Sequence, residues 1–157
     1  MDTSYIIVGL TIVLALCFDF INGFHDTANA IATAVSTKAL TPRRAIMLAA
    51  VMNFLGAVIF TAVAKNITKD IINPNVLQNG AVVIMAGLIS AIAWNLITWY
   101  LGIPSSSSHA LIGSIAGAGI AAAGTAALNF KGFVSIIEAL ILSPLLAFSV
   151  GYVMFTI

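Results

Sequence analysis

The chain has 157 residues, of which 61% are hydrophobic and only 7% charged, with a formal net charge of +1. A soluble domain carries about 25% charged residues, so water is not the principal solvent of this chain. The near-neutral balance also leaves no basic patch for nucleic acid. The single Cys17 excludes an internal disulfide and reads as a small core residue.

Met1 to Ser4 carry Asp2 and no Lys or Arg, so the first apolar run, residues 5–20, reads as retained structure rather than a removable signal peptide. A polar patch with Asp19, Asn22, Gly23, His25, Asp26 and Asn29 separates it from a second run, 28–40, that is too short to span alone. This predicts a broken helix, or a span followed by a half-helix. Lys38, Arg43 and Arg44 then mark an expected cytoplasmic loop, and Pro42 an expected helix start. A third run, 45–64, leads to Lys65, Lys69 and Asp70, whose charges partly cancel, and to a turn at Asn73-Pro74-Asn75. The fourth run is 81–103; a Gly/Ala-rich segment, 110–127, and a last run, 133–157, follow. Pro144 predicts a kink in the last. Several runs approach the ~20 residues that cross about 30 Å of hydrocarbon. The expected fold is an all-α integral membrane protein, one multi-pass domain over residues 1–157 in the cell membrane.

Asp19, Asp26 and Glu138 lie inside or beside apolar runs, where an ionised carboxylate costs roughly 2.5–3.5 kcal/mol. Asp19, Asn22, Asp26, Asn29, Thr33 and Ser36 are spaced 3, 4, 3, 4 and 3 residues apart, which places them on one helical stripe. Carboxylate, amide and hydroxyl oxygens are the groups that replace the hydration shell of a hard monovalent cation. Asp19, Asn22, Asp26, Asn29 and Thr33 are therefore candidate ligands of a sodium ion, with a proton as the other guest. Gly23 would permit an unwound turn that adds carbonyl oxygens. A polar seam between packed helices is the competing explanation. His25 is either proton-linked or structural. Glu138 has three readings: a partner of Lys131, a cavity residue or an interface residue.

A second constellation, Gly102-Ile103-Pro104-Ser105-Ser106-Ser107-Ser108-His109, interrupts the apolar sequence. Pro104 stops one helix and the serines can cap the next. A helix starting here would aim unpaired N–H groups and its positive dipole end at an anion. An ordinary proline-serine turn is the alternative. Ser105 and His109 could meet at i,i+4 as in a hydrolase, but no orienting acid accompanies them and four consecutive serines suit capping better. Trp94, Trp99 and Tyr100 read as interfacial or packing aromatics.

The two constellations, NGFHDTANAIATAVSTKALTPRRA from Asn22 and GIPSSSSHALIGSIAGAGI from Gly102, resemble the signatures of the inorganic phosphate transporter family. The resemblance implies symport of inorganic phosphate with sodium or protons through two inverted repeats, with no further cofactor. It places phosphate on Ser105, Ser106, Ser107, Ser108, His109, Asp26 and Asn29. His25 departs from the commoner Asn before the Asp, which leaves the coupling ion open. No second copy of either signature is present, so the chain reads as the N-terminal repeat of a longer transporter, completed by a second repeat or a second copy. Transport of another oxyanion such as sulfate, or an uncoupled anion channel, remains the alternative function.

Overall fold

The computed structural model describes residues 3–59, 70–77 and 79–157. Within them lie five membrane-length helices: α1 Thr3–Ser36, α2 Pro42–Ile59, α3 Gly80–Tyr100, α4 Ser107–Ala123 and α5 Phe130–Thr156. Short 3-10 turns occupy Pro74–Val76 and Gly124–Ala127. Residues 60–64 of the third apolar run, with Lys65 and Lys69, lie outside the described residues.

The break expected near Gly23 is absent, because α1 runs through all 34 residues from Thr3 to Ser36. At 1.5 Å per residue it is about 51 Å long, so it crosses the hydrocarbon at a tilt or projects beyond it. One glycine disfavours a helix by only about 1 kcal/mol relative to alanine. Opening the backbone inside a membrane would instead orphan several N–H and C=O groups. The interruption lies between α3 and α4. There Gly102, at φ 65°, lets Ile103 N–H reach Thr98 C=O at 2.9 Å and Gly102 N–H reach Trp99 C=O at 3.1 Å. Glycine takes this left-handed conformation at no steric cost, and the two bonds satisfy the last carbonyls of α3. Pro104 follows, and Ser106 caps α4 by accepting the His109 N–H at 3.3 Å.

The resulting α3–α4 hairpin is the centre of the unit, with α1 packed along it and α2 against α1. Gly87 lets the hairpin helices close up: a Cβ there would lie 3.1 Å from Ile115 Cα and 3.3 Å from its amide nitrogen. One buried cluster, Ile71, Ile72, Val83, Ile112, Ile115, Ala116 and Ala127, fills the end of the hairpin away from the serine turn. An antiparallel bridge between Ile72 and Leu128 closes that end through Asn73 N–H to Ala127 C=O, 2.8 Å, and Asn129 N–H to Ile71 C=O, 3.0 Å. A second cluster of Phe18, Leu88 and Ala91 joins α1 to α3.

Helix α2 starts at Pro42, as expected, and α5 continues through Pro144. The Asn73-Pro74-Asn75 turn is a 3-10 turn in which Asn73 Oδ1 accepts the Asn75 N–H at 3.1 Å. No residue of α5 is buried, although Phe133, Ile136 and Leu140 near its start pack on the first cluster. One side-chain expectation changes: Cys17 is exposed on α1 rather than in the core. Of the three readings of Glu138, the ion pair to Lys131 is not formed among the described residues, and Glu138 is exposed on α5.

Candidate functional site

The two polar constellations meet. Ser107, the first residue of α4, donates its hydroxyl to Asp26 Oδ1 at 2.8 Å, across 81 positions of sequence. Ser107 is 1% exposed and the Asp26 side chain 44% exposed, so the contact is enclosed on the serine side, and a hydroxyl bonded to an ionised carboxylate is of the stronger, charge-assisted kind. The same Oδ1 lies 3.2 Å from His25 Nδ1, while His25 Nε2 lies 3.3 Å from Thr98 Oγ1 on α3. An imidazole protonated on Nδ1 donates to Asp26, while for the single proton of the Thr98 hydroxyl His25 Nε2 at 3.3 Å competes with the backbone carbonyls of Trp94 at 3.0 Å and Asn95 at 3.1 Å. The result is one chain of side chains, Thr98, His25, Asp26 and Ser107, crossing from α3 through α1 to α4.

Both contacts to Asp26 use Oδ1, so Oδ2 stays uncommitted on a side chain that is 44% exposed. His25, by contrast, is buried. Asn95, one turn before Thr98 on α3, is the anomaly: it is 0% exposed and, among the described residues, neither Oδ1 nor Nδ2 has a hydrogen-bond partner. Each such orphaned group costs about 1–3 kcal/mol, so a residue of this kind calls for an explanation.

The serines divide their roles. Ser105 Oγ accepts the indole N–H of Trp94 at 3.1 Å, Ser106 caps the helix, Ser107 holds Asp26 and Ser108 is exposed. Ser105, Ser106 and His109 line an open groove of about 540 Å³ on the α3–α4 hairpin, together with Ser90, Trp94 and Ser114. A smaller cavity of about 170 Å³ on the α1 side is bounded by His25, Asn29, Thr98 and Pro104. The Ser105–His109 contact imagined for a hydrolase is not formed, because Ser105 is turned to Trp94 and His109 is exposed.

The five candidate cation ligands on α1 do not converge. Asp19 and Thr33 are separated by about 21 Å along the continuous helix, and a single ion cannot touch both. Asp19, Asn29 and Thr33 are exposed, and Asn22 and Asp26 half-buried. Only Asp26 meets α4. Thr98 and Asn95 were not among the sequence candidates, and Trp94, expected as an interfacial or packing aromatic, also donates to Ser105. The available signal was their position, as Ser90, Asn95 and Thr98 are the hydrogen-bonding interruptions of an apolar helix. No group of three or more His, Cys, Asp or Glu that could hold a metal ion exists among the described residues.

A multi-pass helical bundle in which a serine-capped helix meets a carboxylate on a second membrane-length helix defines the class, an integral membrane protein with a polar junction between its helices. More narrowly, the chain belongs to the phosphate transporter family (PHO4), which matches residues 22–157. It is 70% identical over 157 residues to the probable low-affinity inorganic phosphate transporter of Bacillus subtilis (strain 168), covering all of this chain and 47% of that protein. It is 42% identical over 152 residues to the low-affinity inorganic phosphate transporter PitA of Escherichia coli (strain K12), covering 87% of this chain and 30% of PitA. A solved structure described as the sodium-dependent phosphate transporter superposes with a TM-score of 0.88 at 34% identity, covering 96% of this chain and 38% of that one. The chain thus spans about half the length of the Bacillus relative, and it is a multi-pass protein of the cell membrane.

Proposed function

We propose that this chain is the N-terminal repeat of a symporter that moves inorganic phosphate across the cell membrane with a cation, sodium or a proton. The observation that carries this reading is the 2.8 Å bond from Ser107 to Asp26. It joins the N-terminus of α4, where backbone N–H groups and the helix dipole favour an anion, to a carboxylate that favours a cation. Each ion then offsets the charge that the other meets, and binding is mutually dependent. Phosphate is assigned to the α4 entrance, with Ser105, Ser106, His109 and the adjoining Asn29, and the cation to Asp26 with its neighbour Asn22. Relatives named for phosphate transport, and a structural neighbour described as sodium-dependent, support this pairing.

The polar stripe of α1 supports completion by further protein. Asp19, Asn29 and Thr33 are exposed on a membrane-length helix, and such groups face protein or a water-filled cavity rather than lipid. A second repeat would cover them and contribute the other side of the site. The test is radiolabelled phosphate uptake into proteoliposomes holding the full-length transporter, with an inward sodium gradient, an inward proton gradient or neither. Uptake driven by one gradient, and lost in Asp26→Asn, is the expected result. Uptake of sulfate in preference to phosphate would assign a different oxyanion. Equal uptake with no gradient would replace symport by passive conduction.

A further inference from the structure

The corner between α1 and α2 gathers positive charge beside an apolar groove. Lys38, Arg43 and Arg44 are exposed there, and among the described residues none of the three forms an ion pair. From Thr27 to Lys69 the sequence contains no Asp or Glu, so no neighbour along the chain neutralises them. The groove, of about 360 Å³, lies between the two helices and is lined by Gly23, Phe24, Thr27 and Ile31 of α1 and by Ile46 and Ala50 of α2. From Gly23 to Ile31 it extends for about 12 Å along α1. Gly23 leaves it open, since a Cβ there would meet no atom within 4 Å. Arg43, Ile46 and Ala50, spaced 3 and 4 residues apart, share one side of α2. Arg43 therefore heads the face that lines the groove.

We infer that this corner binds one anionic phospholipid, its phosphate held by Arg43 and Arg44 and one acyl chain lying in the groove. Charge complementarity selects this occupant. A soluble anion would leave the groove empty, and a zwitterionic lipid would bring a cation of its own to the arginines. The backbone adds donors at the same place: Ala45 N–H makes the first bond of α2, to Thr41 C=O at 3.0 Å, so the amides of Arg43 and Arg44 precede the ladder at the positive end of the helix dipole. Position agrees as well. Clustered Lys and Arg mark the cytoplasmic side of a membrane protein, and the cytoplasmic leaflet is the one that carries anionic lipids. Helix α2 packs against α1 with only Ala45 buried, which leaves the groove open to the bilayer. The inference is independent of the symport reading, because it uses neither Asp26 nor the serines of α4.

The experiment is native mass spectrometry of the full-length transporter in detergent, titrated with phosphatidylglycerol or with phosphatidylcholine of the same acyl chains. Each basic residue beside an anionic headgroup is worth roughly fivefold in affinity, so one phosphatidylglycerol is expected to bind at least tenfold more tightly than phosphatidylcholine. Arg43→Gln with Arg44→Gln should abolish that preference. Ala50→Phe, which fills the groove and keeps both arginines, should weaken phosphatidylglycerol at least fivefold. Equal affinity for the two lipids in the wild type overturns the inference, as does a preference that survives the double substitution. An unchanged affinity in Ala50→Phe leaves only surface attraction and overturns the groove. Displacement of phosphatidylglycerol by millimolar glycerol 3-phosphate would assign the arginines to a soluble phosphate ester instead, and no lipid adduct on the wild type would mean that the rest of the transporter covers this corner; either result overturns the lipid site. If the double variant is not recovered folded, Arg43→Gln alone decides, with a loss of at least threefold expected, and Ala50→Leu takes the place of Ala50→Phe in the same way.

Discussion

Ser107→Ala tests the link between the two halves of the site. The substitution deletes one hydroxyl that is 1% exposed and donates to Asp26 at 2.8 Å. Hydrogen bonds to charged groups contribute about 1.5–3 kcal/mol, and 1.4 kcal/mol is a factor of ten, so the full range is about 10- to 150-fold in affinity. Asp26 is 44% exposed and keeps its contact with His25, which places the effect near the lower end, about tenfold. The helix itself is spared, because the cap is Ser106, whose Oγ accepts the His109 N–H, and alanine is the better helix former. The expected outcome is therefore a roughly tenfold rise in the half-saturating concentration of the coupling cation, with the melting temperature of the detergent-solubilised transporter little changed. Phosphate uptake in proteoliposomes against cation concentration measures the first, and a thermal unfolding scan the second. A cation dependence within twofold of wild type in folded Ser107→Ala would refute the idea that this contact couples the sites.

Gly87→Val should separate the hairpin helices, because even a Cβ would lie 3.1 Å from Ile115 Cα. Overpacking of this kind costs about 1–3 kcal/mol, read as a lower melting temperature, and an unshifted melt would contradict the close packing. Trp94→Phe removes the 3.1 Å indole donor to Ser105 and should raise the phosphate KM several-fold while leaving the cation dependence alone; the opposite pattern would move Trp94 to the cation side. Thr98→Val keeps the shape of a residue that is 2% exposed but deletes the oxygen facing His25 Nε2. The transport rate at saturating ions should fall more than either affinity, and Thr98→Ser should restore it.

The membrane class and the positions of four of the five helices, α2 to α5, were legible because hydropathy and proline punctuation act locally: Pro42 begins α2, and the Gly102–Pro104 turn separates α3 from α4. The start of α4 at the serines was legible for the same reason, since Ser106 is a capping residue four positions before an apolar stretch. The continuity of α1 was not. A polar patch in an apolar run looks alike whether the backbone opens to supply carbonyls or a neighbouring helix supplies side chains, and here Ser107 of α4 and Thr98 of α3 supply them, to Asp26 and His25. Asn95 and Thr98 were illegible for a related reason. Their significance depends on the register of three helices, set by contacts such as Gly87 against Ile115, and single-chain periodicity carries no information about register between helices.

Continuity of α1 also bears on how the site can work. A broken helix could bind a cation with its own unwound carbonyls, independently of the rest of the unit. An unbroken one offers only side chains, and Asp26 depends on α4 for its Ser107 contact and, through His25, on α3 for Thr98. Under the proposed symport, a displacement of α4 that admitted an anion at its N-terminus would change the environment of Asp26 through Ser107. In such an arrangement cation affinity and anion access are set by the same helix contact, and coupling requires no path longer than one hydrogen bond.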